Sequence, residues 1–141
     1  MGKLGYSILL VEDNPGHAKL TMLGLNESVR AAAIHHAKNG EEAVSFLNEN
    51  RDSGGKEARP DLILLDLRMP RMDGFEVLSE IKNDPKLRNI PVIVLTTSES
   101  ENDKRRAFEL KADDYLVKST DYCEFRDLLK EKVEKWGGRA L

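Results

Sequence analysis

The chain has 141 residues, 40% apolar and 33% charged, with 22 basic and 25 acidic side chains for a net charge of −3. That length suits one compact domain, and the near-balanced charge gives no global reason to expect nucleic acid or a membrane surface as partner. A single cysteine, Cys123, excludes a disulfide framework and a cysteine-rich zinc site, and the first apolar run, about five residues, is too short for a signal segment or membrane span, so a cytoplasmic protein is expected.

The first element is the apolar run "SILLV" (7–11), which leads into Glu12-Asp13. Asn14-Pro15 then offers an N-cap and a proline at the first helical position. Ala18, Met22, Leu25 and Val29 predict one face of a helix over 15–29. "AAAIHHA" (31–37) is a weaker strand candidate. On a strand, His35 and His36 point to opposite faces and cannot act as a pair. Ala43, Phe46 and Leu47 predict a helix over about 41–49, and the polar "NENRDSGGKEARP" (48–60) predicts a long surface loop.

"DLILLD" (61–66) is the third strand, and "DGFE" (73–76) has the capping-box spacing ahead of a helix over 74–83. Pro91 introduces the fourth strand, "VIVLTT" (92–97). Residues 101–111 form the weakest helix by pattern, and "DYLVK" (114–118) is the fifth strand. Phe125, Leu128, Leu129, Val133 and Trp136 then make the clearest apolar stripe in the chain, the last helix, with Trp136 its end and Cys123 an inert residue near its start.

The strand runs are apolar on consecutive residues, which implies a parallel sheet covered on both faces. Five alternations of strand and helix predict a three-layer α/β sandwich with right-handed crossovers. No repeat or linker marks a second unit, so residues 1–141 read as a single domain.

In such a sheet the strands' carboxyl ends share one rim, where ligands bind. Here the rim collects Glu12, Asp13, Asp66, Thr96, Thr97 and Lys118. A lone acid ending a buried strand is costly. Three clustered acids repel one another unless a cation joins them, and oxygen donors suit a hard ion such as Mg2+. A carboxylate beside Mg2+ can attack a phosphoryl group, with Lys118 and Thr96 stabilising the transferring oxygens. Thr97 would narrow the access of water.

"LLVEDN", "DLILLDLRMPRMDG", "IPVIVLTT" and "ADDYLVK" resemble, in order, the signature segments of the receiver domain of two-component response regulators, over about residues 7–136. The resemblance implies a doubly wound (βα)5 fold, flavodoxin-like or CheY-like, with strand order 2-1-3-4-5. It makes Asp66 the phosphoacceptor, Asp13 a direct metal ligand, Glu12 a ligand through water and the Arg68 backbone carbonyl a further ligand. Thr96 becomes the switch hydroxyl, Lys118 the phosphate-binding lysine, and Tyr115 the aromatic that swings inward on activation. Mg2+ is the implied cofactor, and the implied donor is a phosphohistidine on a sensor histidine kinase or histidine phosphotransfer domain. The expected function is a signalling switch, not an enzyme beyond self-phosphorylation on Asp66 and slow autodephosphorylation. The alternative is a degenerate receiver that binds partners independently of phosphorylation. "EDNPG", the loop before the third strand and an aromatic near the C-terminal end further resemble small stand-alone regulators, among them partners of bacterial phytochromes.

Two departures stand out. Ser119 follows Lys118 where the family usually has proline, often cis, so a trans bond is expected. His17 stands where the subgroup often has an acid. A phosphatase of the haloacid-dehalogenase class would need an acid where Arg68 stands, and no glycine-rich loop follows a strand to cradle a nucleotide. With about five residues after Trp136, no output domain is expected to follow, and output falls to contacts of the receiver itself. A homodimer through the 101–136 face is one such contact, pairing Lys104, Arg105, Arg106 and Lys111 with Asp113, Asp114, Glu124 and Asp127; the plainer reading is a solvated helix face.

Overall fold

A computed structural model of the chain describes residues 6–28, 31–50 and 59–137. Its elements are β1 (Tyr6–Val11), α1 (Pro15–Ser28), β2 (Ala31–Ala37), α2 (Gly40–Asn50), β3 (Leu62–Leu65), α3 (Gly74–Lys82), β4 (Val92–Thr96), α4 (Glu101–Glu109), β5 (Asp114–Val117) and α5 (Tyr122–Gly137). The strands pair in parallel in the order β2-β1-β3-β4-β5. The sheet is therefore the expected doubly wound one, with its reversal of order between β1 and β3.

Alternation along each strand explains the unbroken apolar runs. Leu9, Val11, Ile63, Leu65, Val92 and Val94 pack with Leu47, Phe75, Leu78 and Ala107 from α2, α3 and α4. Their neighbours Ile8, Leu10, Leu62, Leu64, Ile93 and Leu95 pack on the other face with Ala18 and Leu25 of α1 and Phe125, Leu129 and Val133 of α5. Each fully buried leucine or isoleucine contributes roughly 2 kcal/mol of transfer free energy, so both faces must be apolar for the sheet to sit between helices.

The caps form as expected. Asn14 Oδ1 accepts the His17 N–H at 3.0 Å. Asp73 and Glu76 exchange reciprocal hydrogen bonds at the start of α3, a full capping box. Gly74 is forced by packing, since a Cβ there would stand 2.2 Å from the Asp66 carbonyl oxygen and 2.6 Å from Leu67 Cα. The loop after β3 is thereby folded tightly back beneath the rim.

Several boundaries differ from expectation. β3, β4 and β5 stop before Asp66, Thr97 and Lys118, which lie just past the strand ends. α2 runs to Asn50, taking three residues assigned above to the loop; residues 51–58 and Val29 lie outside the described residues.

The charged face proposed for a dimer needs correction. Asp114 is buried and accepts hydrogen bonds from Lys132 Nζ at 2.9 Å and Trp136 Nε1 at 2.7 Å. Asp113 accepts from Lys82 Nζ at 2.9 Å and from the Val92 N–H at 2.8 Å. Both acids are committed within the chain, because β5 buries its first residue against the start of β4 and the end of α5. Trp136 does end the apolar stripe, partly buried against the α1–α5 core, and it also holds β5 through Asp114.

Candidate functional site at the carboxyl edge of the sheet

The rim forms because β1 and β3 are neighbours. The Asp66 N–H donates to the Val11 carbonyl at 3.0 Å, which fixes Asp66 beside the Glu12-Asp13 turn. Glu12, Asp13 and Asp66 each bring a carboxylate oxygen within 4.8 Å of one another. Glu12 and Asp66 are buried, while Asp13 reaches solvent.

Lys118 closes the cluster from β5. Its Nζ lies 2.5 Å from Glu12 Oε1 and 4.0 Å from Asp66 Oδ1, and its own N–H donates to the Thr96 carbonyl at 2.7 Å. Burial, and then the Glu12 charge, push the Asp66 carboxyl up to about 6; Lys118 and the Arg68 backbone N–H act in the opposite direction. An acid held that high is short of positive charge. Three convergent oxygen donors are what a hard divalent cation requires, so the residues fit such an ion.

Thr96 and Tyr115 also meet, through Ser98. Thr96 is fully buried, and its Oγ1 accepts the Ser98 N–H at 3.3 Å. The Ser98 carbonyl accepts from the Tyr115 hydroxyl at 3.1 Å, and Tyr115 is buried. Thr97 is exposed. The Lys118–Ser119 bond is trans, and Ser119 Oγ donates to Glu124 at 2.6 Å and accepts the Asp121 N–H at 3.0 Å. Serine thus organises a turn into α5 where proline would have stiffened it.

Four contacts had no counterpart in the sequence reading, which gave Arg68 a role only through its backbone carbonyl. His36 Nε2 donates to the Glu12 carbonyl at 2.8 Å, while His35 stacks on Phe46. Strand alternation separates the two rings without indicating which one reaches the rim. His17 Nδ1 meets Lys118 Nζ at 3.1 Å. Arg68 pairs through its guanidinium with Asp103, which also accepts from Ser98 Oγ at 2.7 Å, so the loop after β3 is tied to α4. Gly74, inside the quoted "MDG", is the fourth. The spacing of "DGFE" gave its helix cap but not its close approach to Asp66.

A family model for the response regulator receiver domain matches residues 8–130. The chain belongs to the response regulator receiver family. It is 41% identical over 133 residues to the "Probable methanogenesis regulatory protein FilR2" of Methanothrix harundinacea, covering 94% of this chain and 84% of the relative. It is 41% identical over 127 residues to the response regulator Rcp1 of Synechocystis, covering 87% and 81%. Its fold matches that of the phosphorylated cyanobacterial phytochrome response regulator RcpA with a TM-score of 0.85 at 37% identity over 97% of each chain. For the Mn2+-bound form of Rcp1 the TM-score is 0.80 at 36% identity over 94% of each.

A receiver is a signalling switch, and receivers are phosphorylated by histidine kinases. Among the described residues, no helix is long and apolar enough to cross a membrane.

Proposed function

We propose that Asp66 is the phosphoacceptor of this receiver, loaded from a phosphohistidine on a sensor histidine kinase or histidine phosphotransfer domain. The observation that carries this is the Asp66 carboxylate set 4.0 Å from Lys118 Nζ inside a cluster of three acids. An Asp66 oxygen attacks the phosphorus, the P–N bond breaks, and its electron pair returns to the donor imidazole, which takes up a proton from solvent. Glu12, Asp13, Asp66 and the Arg68 carbonyl would hold Mg2+, which when bound neutralises the phosphoryl oxygens. Lys118 supplies further positive charge. Thr96 Oγ1 donates to a phosphoryl oxygen, and its present partner Ser98 couples that movement to Tyr115 and Asp103. Slow hydrolysis of the acyl phosphate resets the switch.

The receiver's own surface offers a contact for output. An open groove of about 630 Å³ beside α4, β5 and α5 is lined in part by Lys104, Tyr115, Lys118 and Glu124, so the phosphorylation site and a docking surface share side chains. A homodimer through 101–136 would set Lys104, Arg105, Arg106 and Lys111 against Glu124 and Asp127, all exposed, without the two committed aspartates. RcpA and Rcp1 support the phytochrome-type subgroup; FilR2, equal to Rcp1 in identity, keeps the donor stated by chemistry and not by kinase class.

The test is intact mass after incubation with Mg2+ and acetyl phosphate. One adduct of about 80 Da is expected, lost with EDTA and in Asp66→Asn. An adduct that survives Asp66→Asn would sink the assignment. Metal binding without any adduct from either a small donor or a kinase would return the phosphorylation-independent adaptor.

A further inference from the structure

We infer that His17 is a positioning residue for Lys118, and that its neutral imidazole aims the lysine's third N–H bond at the acceptor site. The inference rests on Asp66 being that site. His17 Nδ1 lies 3.1 Å from Lys118 Nζ, and the ammonium is also held by Glu12 Oε1 at 2.5 Å. An ammonium has three donors and no acceptor, so Nδ1 must be the acceptor, with the ring proton on Nε2. Two of the three N–H bonds are then directed by Glu12 and His17. The tetrahedral nitrogen has one bond left, and Asp66 Oδ1, 4.0 Å away, is the nearby anion. That gap leaves room for the ammonium to turn toward a phosphoryl oxygen.

The backbone that carries the ring is itself held in place. Pro15 opens α1, and the His17 N–H is bound to Asn14 Oδ1, so the first turn cannot rotate freely. No acidic side chain stands in that turn. The charged groups facing the junction are Lys118 after β5, Glu12 and Asp13 after β1, and Asp66 after β3. The contacts of α5 with Glu27 of α1, from Tyr122 and Arg126, lie about 15 Å further along the helix. Protonating Nδ1 removes the lone pair that Lys118 uses and sets two cations side by side. Acid should therefore uncouple Lys118 from His17 and slow phosphorylation, beyond any effect of Asp66 protonation.

The experiment compares initial rates of Asp66 phosphorylation by acetyl phosphate at saturating Mg2+, from pH 5.5 to 8, for the whole chain, His17→Asn and His17→Phe. Asparagine keeps an acceptor at the δ position and does not titrate. Because Asp66 titrates in all three proteins, the readout is the ratio of each variant to wild type. At pH 8, His17→Asn should match wild type, while His17→Phe should be about tenfold slower, the size of one hydrogen bond to a charged group. Toward the acid end of the range the ratio of His17→Asn to wild type should rise above one, because protonating Nδ1 removes the acceptor in wild type alone. Parallel profiles for wild type and His17→Asn would overturn the inference, as would wild-type speed in His17→Phe.

A second measurement reads the contact without phosphorylation. The pH profile of the Lys118 ε-methylene NMR signal should differ between wild type and His17→Asn, beyond the Asp66 step that both share. Identical profiles in the two proteins would reject the contact. An adduct that persists in Asp66→Asn would instead sink the proposed function, leaving the Lys118–His17 contact to be judged by NMR alone.

Discussion

The Lys118 ammonium stands 2.5 Å from Glu12 Oε1, with only 9% and 1% of the two side chains exposed. Removing one member of such a buried pair strands the other charge. Lys118→Met should therefore destabilise the chain by about 3 kcal/mol at pH 7.5 without divalent cation. The loss should shrink at pH 5, where the neighbouring Asp66, raised to about 6, carries a proton. Thermal unfolding at the two pH values checks this, and equal losses would show that Lys118 acts by packing alone.

Asp66 itself works against stability at neutral pH. Its carboxyl is raised from 3.8 to about 6 by burial and by Glu12. Between those values the folded chain holds a proton that the unfolded chain has released, so stability falls as pH rises through the window. Asp66→Asn removes the charge and keeps the shape. Without divalent cation it should raise Tm at pH 7.5 by about 5 °C, with no gain at pH 4, where both proteins are neutral at this position. Mg2+ should stabilise wild type and leave the variant nearly unchanged.

Asp114 behaves oppositely. Burial alone would raise its carboxyl, but hydrogen bonds from Trp136, Lys132 and the Tyr115 N–H hold it below its ordinary value. Its stabilisation is then present above the ordinary carboxylate range and lost as pH falls through the lowered value. Asp114→Ala should cost about 2–3 kcal/mol near pH 7, with the difference from wild type narrowing in acid. Trp136 is the sole tryptophan, so its fluorescence during denaturant unfolding reads the loss directly.

Gly74 permits the close turn beneath Asp66. With backbone atoms at 2.2 and 2.6 Å from any Cβ, Gly74→Ala cannot be absorbed by side-chain movement. It should cost about 3 kcal/mol and also slow adduct formation, because the Asp66 carbonyl must shift. Wild-type stability together with a wild-type phosphorylation rate would refute the close approach.

Much of this protein is legible in the chain alone. Consecutive apolar residues mark strands covered on both faces, Asn14-Pro15 and Asp73–Glu76 mark helix starts, and the right-handed crossover places every strand end on one edge. Glu12, Asp13, Asp66, Thr96 and Lys118 could therefore be grouped from their places after each strand. Local pattern also set the limits of that reading. A charge next to a strand reads as exposed, which puts Asp114 at the surface, whereas α5 brings Lys132 and Trp136 over it.

What only the tertiary structure decided are the pairings across the rim and the layers. His17 and Lys118 are 101 residues apart, His36 reaches the Glu12 carbonyl from a neighbouring strand, and Arg68 crosses to Asp103 on α4. Periodicity tells which face a residue occupies, because that depends only on its own element. It does not tell which side chain stands opposite, because that depends on strand neighbours, helix rotation and loop closure, all set by packing between distant segments.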